Sequence, residues 1–475
     1  MNGGNAMIKK SLAIKVLNVA LSTGGDYAEI YLEDTKSNGV SVENGVVESS
    51  MKSENYGAGI RILKGFNSVY GFTSDLSEKS LVDLASKLSA NFSGERVITV
   101  KDVKTQKKVD INNIKDHLYD VPTEEKVSLL KECNSLVKSV NPEKLVRIIN
   151  SFSDYKKDIE IYIAEGESAK HFFNTEERGR MVFLAVAMGD GKLETYYAGP
   201  GRFDGWNWFK NTLDWRGISK EVGEKAIMML NAKECPSGKY SVVISNGWGG
   251  VLFHEACGHP LEAEATAKKL SVFSDSIGEQ IASPVVSAYD DGSLPNEWGS
   301  NNIDSEGVKT QKNELIKDGI CTGFLVDRLN GRRLGMEPNG CSRRQSYKYP
   351  PTSRMSNTYI AAGKDNPEDI IKDTKLGIYV TNFGGGSVNP ANGEFNFSAS
   401  EAYIIRDGKV CEPVRGCTLI GTGKEVLMNI DRVGNDLDLG QGMCGAASGS
   451  IPVNVGQPTI RIKEITVGGR GGELK

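Results

Sequence analysis

Two of the four histidines in the chain lie five residues apart, in the segment His254-Glu-Ala-Cys-Gly-His259. Imidazole is a common ligand of zinc, and a carboxylate that directly follows a ligand histidine is typical of zinc peptidases. We therefore expect His254 and His259 to bind Zn²⁺. We expect Glu255 to act as the general base that removes a proton from a zinc-bound water molecule. The spacing alone does not exclude a divalent ion other than Zn²⁺.

The distance between the two histidines requires a distorted helix. Residues i and i+4 lie about 40° apart around a regular helix, whereas residues i and i+5 lie about 140° apart. One ion could not bind both rings on such a helix. Gly258 loosens the backbone, and Pro260 lacks the N–H that a regular helix would use. We predict a π-bulge or a helix end between Glu255 and Pro260 that turns His259 towards His254.

A catalytic zinc ion usually has three protein ligands, so a third must come from elsewhere in the chain. Cys444 is favoured, because it lies in the glycine-flanked segment Gly440-Gln-Gly-Met-Cys-Gly-Ala, which is poorly suited to burial in a core. The alternatives are Cys257, Cys411, Cys417, Glu262 and Glu264. Glu262 could instead hydrogen bond to a ligand imidazole, or form an ordinary ion pair on the helix surface.

Further residues are candidates for substrate binding. Arg354 and Asn357 lie in a strand-like segment with few hydrophobic neighbours, which favours a role in holding a carbonyl or carboxylate of a peptide. The glycines 384–386 could let a peptide approach as an added strand, or could form a plain turn. The other two histidines, His117 and His171, are expected to be surface or packing residues.

The elements that position these residues predict an α+β protein with two domains. Residues 1–231 predict an N-terminal α/β domain, because helical and alternating apolar patterns follow one another. Cys235-Pro-Ser-Gly is a natural hinge, and residues 232–475 predict a β-rich C-terminal metallopeptidase domain that carries the histidine helix. In the first domain, helices are expected at 8–22, 77–92, from 123 and at 217–231, and strands at 27–32, 40–47, 58–63, 144–152, 157–164 and 180–188.

Composition excludes several classes of protein. Fifty-seven Lys and Arg residues nearly balance 61 Asp and Glu residues, so no direct nucleic-acid binding is expected. No apolar run approaches the length of about 20 residues that spans a bilayer, and no signal peptide is expected. Eight scattered cysteines indicate reduced thiols, and therefore a cytoplasmic protein without disulfides.

Beyond the histidine motif, the chain resembles the PmbA/TldD family of metallopeptidases. The segment from His254 to Glu262 is similar to the family signature, and the similarity continues in the family's order over most of 236–470. Its segments include Asn382-Phe-Gly-Gly-Gly, Leu419-Ile-Gly-Thr-Gly and Gly442-Met-Cys-Gly. Where many members have a glycine after the second histidine, this chain has Pro260.

The resemblance implies a zinc site of His254, His259 and Cys444, with Glu255 catalytic. It implies short or unfolded peptides as substrates. It also implies either a homodimer or a heterodimer with a sister chain that lacks the histidine motif.

Two functions other than metal-dependent peptide hydrolysis are compatible with these residues. A thiol hydrolase would use Cys257 or Cys444 as nucleophile and a histidine as base. A non-catalytic regulator or partner subunit is the other alternative, because the family has carried a label that links it to modulation of DNA gyrase. Removal of metal by a chelator would spare the thiol hydrolase, and Glu255→Gln would spare the regulator.

Overall fold

The computed structural model describes residues 6–112, 114–389 and 392–474. The fold is mixed α/β and rich in strands, in agreement with the class predicted from the sequence. The division at 231/232 stays a prediction; it falls between the last helix of the N-terminal part and the first short strand of the C-terminal part. None of the helices in these ranges is long and apolar enough to cross a membrane.

The N-terminal part is built on one large sheet with the strand order β3-β2-β1-β5-β6-β4, and β7 and β8 also pair with β6. Its strands are β1 (Tyr27–Glu43), β2 (Val46–Lys64), β3 (Asn67–Thr73), β4 (Asp102–Thr105), β5 (Leu145–Ala164), β6 (Ser168–Gly189), β7 (Lys192–Ala198) and β8 (Gly201–Arg202). Its α-helices are α1 (Lys10–Ala20), α2 (Glu78–Ser89), α3 (Thr123–Val140) and α4 (Trp215–Leu230).

Both faces of this sheet are covered over much of its area, although residues 46–56 of β2 are exposed. Side chains alternate between the two faces along each strand. Ile30 packs with α1 and α2, and Val42, on the same face of β1, packs with α3 and α4. Tyr31 points the opposite way and packs against Ile303 and Tyr347 of the C-terminal part. The sheet therefore lies between its own helices and the C-terminal part.

The C-terminal part contains a ring of five strands. Its strands are β9 (Lys233–Glu234), β10 (Gly238–Ile244), β11 (Ala288–Asp291), β12 (Lys312–Lys317), β13 (Ile320–Cys321), β14 (Ser342–Arg343), β15 (Thr352–Ser353), β16 (Asn357–Ile360), β17 (Leu376–Val388), β18 (Glu394–Arg406), β19 (Lys409–Arg415), β20 (Thr418–Thr422), β21 (Ile430–Val433), β22 (Asp438–Ala446), β23 (Gly449–Gln457) and β24 (Ile460–Gly468). β17, β10, β24, β20 and β18 pair in that order, and β18 pairs with β17 to close the ring.

A second sheet has the strand order β13-β12-β11-β16-β23-β22, so β22 is its edge strand. The C-terminal α-helices are α5 (Val251–Phe253), α6 (Ala263–Thr266), α7 (Arg328–Leu334), α8 (Pro367–Lys372) and α9 (Gly423–Asn429). Leu252 and Phe253 of α5 share one buried apolar cluster with Val242 and Ile244 of β10. The helix that carries the histidines is thus packed against the ring of strands, with the edge strand β22 close to it.

The structure differs from the sequence prediction in the length of several strands. β1 joins the strand predicted at 27–32 to the first part of the one predicted at 40–47, and β2 and β6 begin 12 residues before the strands predicted at 58–63 and 180–188. The strands predicted at 144–152 and 157–164 are a single strand, β5, paired with β1 on one side and β6 on the other. The polar segment 153–156 between them hid this continuity, and polar partners allow Asp154 in it, and Lys157 directly after it, to be buried. Lys126 donates to Asp154 at 2.6 Å, and Lys157 lies 3.6 Å from Glu33.

Candidate metal centre

The two histidines lie on a short, irregular helix that follows β10. After α5, residues His254–Gly258 form a π-helical turn and His259–Leu261 form a 3-10 turn. The N–H of His259 donates to the carbonyl of His254, the i to i+5 bond of a π-helix. This wider turn brings the two rings to one side, with their centroids 5.0 Å apart and their planes at 84°. The distortion predicted from the spacing is confirmed.

Two glycines let this helix approach its neighbours closely. A Cβ on Gly250 would lie 2.5 Å from the backbone of Gly456 in β23. A Cβ on Gly258 would lie 2.2 Å from the sulfur of Met355. Larger residues at these positions would push the histidine helix away from the sheet that contains β22.

The closely packed helix brings both histidines to the thiol of Cys444. The Sγ atom of Cys444 lies 3.4 Å from Nε2 of His254 and 3.2 Å from Nε2 of His259. The potential ligand atoms of the three residues all lie within 4.8 Å of one another. Residues 190 positions apart in the chain thus converge on one small volume.

These distances fit a tetrahedral zinc ion. Bond lengths of about 2.3 Å to sulfur and about 2.0–2.1 Å to nitrogen place a nitrogen and a sulfur about 3.5 Å apart around tetrahedral zinc. The two nitrogen–sulfur distances of 3.2 and 3.4 Å are close to that value. Two imidazoles and a thiolate are also a donor set that zinc favours.

Glu262 contacts the ring nitrogen of His259 that faces away from Cys444. Its Oε2 atom lies 3.0 Å from Nδ1 of His259, and its Oε1 atom accepts from the backbone N–H of Met355 at 3.2 Å. Burial would raise the pKa of Glu262, but His259 and Arg354 outweigh burial and hold its pKa below the ordinary value. The carboxylate therefore fixes the proton of His259 on Nδ1 and leaves Nε2 directed at Cys444. Of the two roles weighed for Glu262, the hydrogen bond to the imidazole is the one that the structure shows.

The thiol of Cys444 is ionised by its surroundings. Burial would raise its pKa, but the hydrogen bonds and charges of His254 and His259 lower the pKa of Cys444 to about 4. Burial would lower the pKa of His259, and Glu262 together with Cys444 raises it well above the usual value. Without a metal, the site therefore holds the thiolate of Cys444 beside the imidazolium of His259. A bound cation can take over the positive charge that the imidazolium supplies.

Glu255 lies at the open side of this cluster. Its Oε2 atom is 3.9 Å from Nε2 of His259, and about 29% of its side chain is exposed. It can therefore reach a molecule that approaches the three ligand atoms from solvent. A carboxylate in such a position can serve as a general base.

The remaining candidates for a third ligand lie away from the cluster. Cys257 and Cys417 are buried in the apolar core, and burial raises the pKa of Cys257 well above its usual value. Cys411 is exposed on β19. Glu264 accepts from Asn330 at 3.0 Å and from Thr352 at 3.2 Å.

Arg354 and Asn357 are completely buried, and both donate to groups of this chain. Arg354 donates from Nη2 to the carbonyl of Cys444 at 2.6 Å and from Nη1 to Ser448 at 2.9 Å. Asn357 donates to the carbonyl of Asp291 at 2.6 Å. Their expected contacts with substrate stay predictions. No pattern in the sequence indicates that Arg354 contacts the strand of Cys444, because 90 residues separate the two.

The two other histidines make structural contacts. His171 is buried, stacks on Tyr162 with centroids 4.0 Å apart and lies 3.1 Å from a carboxylate oxygen of Glu160. His117 lies 2.7 Å from a carboxylate oxygen of Glu177. Both belong to the N-terminal part, as expected.

Comparison with known protein families gives three matches that follow one another along the chain. Residues 28–92 match domain 1 of the PmbA/TldA metallopeptidases, residues 116–230 match the central domain, and residues 237–469 match the C-terminal domain. The C-terminal match contains the two histidines, Glu255 and Cys444.

Individual proteins are similar over almost the whole chain. A metalloprotease TldD homolog from Haemophilus influenzae is 35% identical, over 94% of this chain and 93% of its own length. A zinc metalloprotease TldD homolog from Saccharolobus solfataricus is 25% identical, over 96% of this chain and 99% of its own. The crystal structure of TldE from Thermococcus kodakarensis shares the fold, with a TM-score of 0.75 and 19% identity over 97% of this chain and all of that one.

Proposed function

Because this chain belongs to the PmbA/TldD family of metallopeptidases, we propose that it is a zinc-dependent peptidase whose metal is held by His254, His259 and Cys444. The observation that carries the proposal is the convergence of these three side chains, with nitrogen–sulfur distances of 3.2 and 3.4 Å. The zinc metalloprotease from Saccharolobus solfataricus supports the choice of metal.

The proposed reaction is hydrolysis of a peptide bond. When bound, zinc would polarise the scissile carbonyl and acidify the attacking water. Glu255 takes the proton from that water, since its carboxylate is partly exposed beside His259. General-base assistance of this kind contributes about 10²- to 10⁴-fold in rate. Glu262 keeps His259 in one orientation and one tautomer, and Arg354 keeps the strand of Cys444 in place.

We further propose short or unfolded peptides as substrates. The glycines 384–386 are exposed at the end of β17, so a peptide could reach their backbone. Main-chain hydrogen bonds would bind many sequences, as expected of an enzyme for unfolded segments.

The proposed assembly is a homodimer, or a heterodimer with a sister chain that lacks the histidine motif. A chain named TldE has the same fold over its entire length, so a sister chain could offer the same surfaces. We propose the cytoplasm as the site of action, which agrees with eight cysteines that are all free thiols.

The central test is Glu255→Gln in the zinc-loaded protein. The variant should hold as much zinc as the unchanged protein, measured by elemental analysis, because Glu255 is not among the three ligands. Its rate of cleavage of an unfolded fluorogenic peptide should fall by about 10²-fold or more, since the base is lost. A variant that still cleaves at the original rate would remove Glu255 from the mechanism.

His254→Ala is the matched control, and it should lose both zinc and activity. A metal chelator should abolish cleavage, whereas a thiol-alkylating reagent applied to the zinc-loaded protein should act slowly. The opposite pattern would favour a thiol hydrolase over a metallopeptidase.

A further inference from the structure

A cavity of about 600 Å³ lies between the N-terminal sheet and the C-terminal part. One wall is the face of β1, β5 and β6 that points away from the helices and carries Tyr31 and Tyr155. The opposite wall is the segment 343–349 together with part of the β22–β23 hairpin. The volume is in the range of ordinary ligand sites.

The cavity reaches the strand that carries Cys444. Met443, the residue before Cys444, lines the cavity, and so does Ile451, which pairs with Cys444 across the hairpin. A substrate bound near the cluster of His254, His259 and Cys444 could therefore extend into the cavity. About half of the Met443 side chain is exposed.

The wall of the cavity carries more positive than negative charge. Its cationic side chains are Lys157, Arg180, Arg343, Arg344 and Lys348, and its carboxyl groups are Glu33, Glu176 and Asp304. Glu33 lies 3.6 Å from Lys157, and Glu176 accepts from Arg178, outside the lining, at 2.6 Å. Arg344 is paired with Glu29. Burial raises the pKa of Asp304 to about 8, so this carboxyl group is mostly uncharged at neutral pH.

Three cations are therefore left without a carboxylate in direct contact, although the charges of Glu176 and Asp290 act on Arg343 from a longer distance. Within the described part of the chain, no carboxylate oxygen lies within 4 Å of the charged nitrogens of Arg180, Arg343 or Lys348. Arg343 is the most enclosed of the three, with 5% of its surface exposed. Its Nη1 donates to the carbonyl of Met355 at 2.6 Å, and its Nη2 donates to the carbonyl of Pro452 at 2.7 Å.

A buried guanidinium without a carboxylate is costly, because carbonyl groups do not neutralise its charge. Burial and the charge of Arg178 lower the pKa of Arg343 to about 10, so it remains a cation at neutral pH. A planar guanidinium matches a carboxylate in shape and charge, and such a ligand would offset the cost of burial.

We propose that this cavity is a subsite for a carboxylate of the peptide substrate, with Arg343 as its main recognition group. The inference rests on the proposed peptidase function and names its substrate class: peptides with an acidic side chain, or a free C-terminal carboxylate, close to the cleaved bond. Arg180 adds positive potential at the wall of the cavity, whereas the charge of Lys348 is exposed at its mouth and is screened by solvent.

The test compares three fluorescent peptides of equal length. One contains a glutamate, the second has glutamine in its place, and the third keeps the glutamine but ends in a carboxamide. Their binding is measured by fluorescence anisotropy on the zinc-loaded Glu255→Gln protein, so that no turnover is needed. Their cleavage by the unchanged protein is measured in parallel.

The glutamate peptide should bind about tenfold or more tightly than the glutamine peptide, as expected for a charge-assisted hydrogen bond. If the C-terminal carboxylate is the ligand, replacing it by a carboxamide should instead weaken the binding of the peptide. In the Arg343→Gln background the preference should fall to about onefold, whereas Arg343→Lys, which keeps the charge but not the planar guanidinium, should keep only part of it. Lys348→Gln, at the exposed mouth, should change it little, because solvent screens that charge. Zinc content of each variant checks that the strand of Cys444 is intact.

Equal binding of all three peptides by the unchanged cavity would overturn the proposal, as would an acid preference that survives Arg343→Gln in full. An acid preference in binding without cleavage of any peptide would support the subsite and refute the peptidase. Cleavage without an acid preference would support the peptidase and refute the subsite.

Discussion

Replacement of Glu262 by glutamine tests whether the site depends on the residues behind its ligands. Glu262 touches no reacting atom, but its Oε2 lies 3.0 Å from Nδ1 of His259. Glutamine has the same shape and can still accept from the N–H of Met355 with its carbonyl oxygen. Its amide group then faces Nδ1–H of His259, so two donors oppose each other.

The size of the effect follows from the lost hydrogen bond. A hydrogen bond to a charged, buried group contributes about 1.5–3 kcal/mol. This is about 10- to 150-fold in a dissociation constant. Changes to residues that support a metal ligand typically cost about 10- to 100-fold in metal affinity. We therefore expect the dissociation constant for zinc to rise by about 10- to 100-fold in Glu262→Gln.

The assay is competition for zinc against a chromophoric chelator, at a pH near neutral. The matched control is Glu264→Gln, which changes the same group two residues further along the chain. Glu264 pairs with Lys268, Asn330 and Thr352 and contacts none of the three proposed ligands. The control should therefore bind zinc as tightly as the unchanged protein. Thermal melting of both variants shows whether they are folded.

Two results would refute the reasoning. If Glu262→Gln binds zinc as tightly as the unchanged protein, the hydrogen bond to His259 does not hold the ligand. If both variants weaken zinc binding equally, the loss of affinity comes from a change of charge or folding near the helix. It then does not come from the contact of 3.0 Å between Glu262 and Nδ1 of His259.

Two further predictions concern protons and packing. Because the pKa of Cys444 is about 4 and the pKa of His259 is raised, zinc binding at neutral pH should release about one proton, from the imidazolium of His259, and the affinity for zinc should fall as the pH falls. Calorimetry in buffers of different ionisation enthalpy measures the number of protons released. A release of no protons would contradict the prediction. Gly250→Ala, whose Cβ would meet the backbone of Gly456 at 2.5 Å, should lower the free energy of unfolding by about 1–3 kcal/mol, whereas Gly166→Ala, with open space around it, should change it by about 0.5 kcal/mol or less; equal urea midpoints would contradict this.

The sequence predicted the parts of the site that depend on local spacing. An i, i+5 pair with Gly258 and Pro260 between and after the histidines requires a wider turn, and the π-helical turn of His254–Gly258 is that turn. The glycine-flanked setting favours Cys444 as the third ligand, but its segment is not unsuited to burial: Cys444 lies on β22, is only 6% exposed and packs with Ile451 and Val453. The closed ring of strands and the continuous β5 were not predicted, because strand pairing and buried ion pairs involve residues far apart in the sequence.

The side chains that position Cys444 were beyond sequence reasoning for a further physical reason. β22 is an edge strand, so only β23 holds it through a regular ladder. Its other carbonyl groups accept from side chains instead: Trp298 donates to Gly442 at 2.8 Å, Arg354 to Cys444 at 2.6 Å and Arg180 to Gln441 at 3.3 Å. No pattern in a sequence marks a side chain that binds a distant main chain.

This arrangement links the N-terminal sheet to the candidate metal centre. Arg180 belongs to β6 of the N-terminal part, yet it binds the strand of Cys444 three residues before the thiol. Trp298, which also holds that strand, lies with its ring centroid 5.8 Å from the guanidinium of Arg180. A shift of the N-terminal sheet would therefore disturb one of the contacts that hold this edge strand. The geometry of the three proposed zinc ligands thus depends on how the two parts of the chain dock, and not on the histidine helix alone.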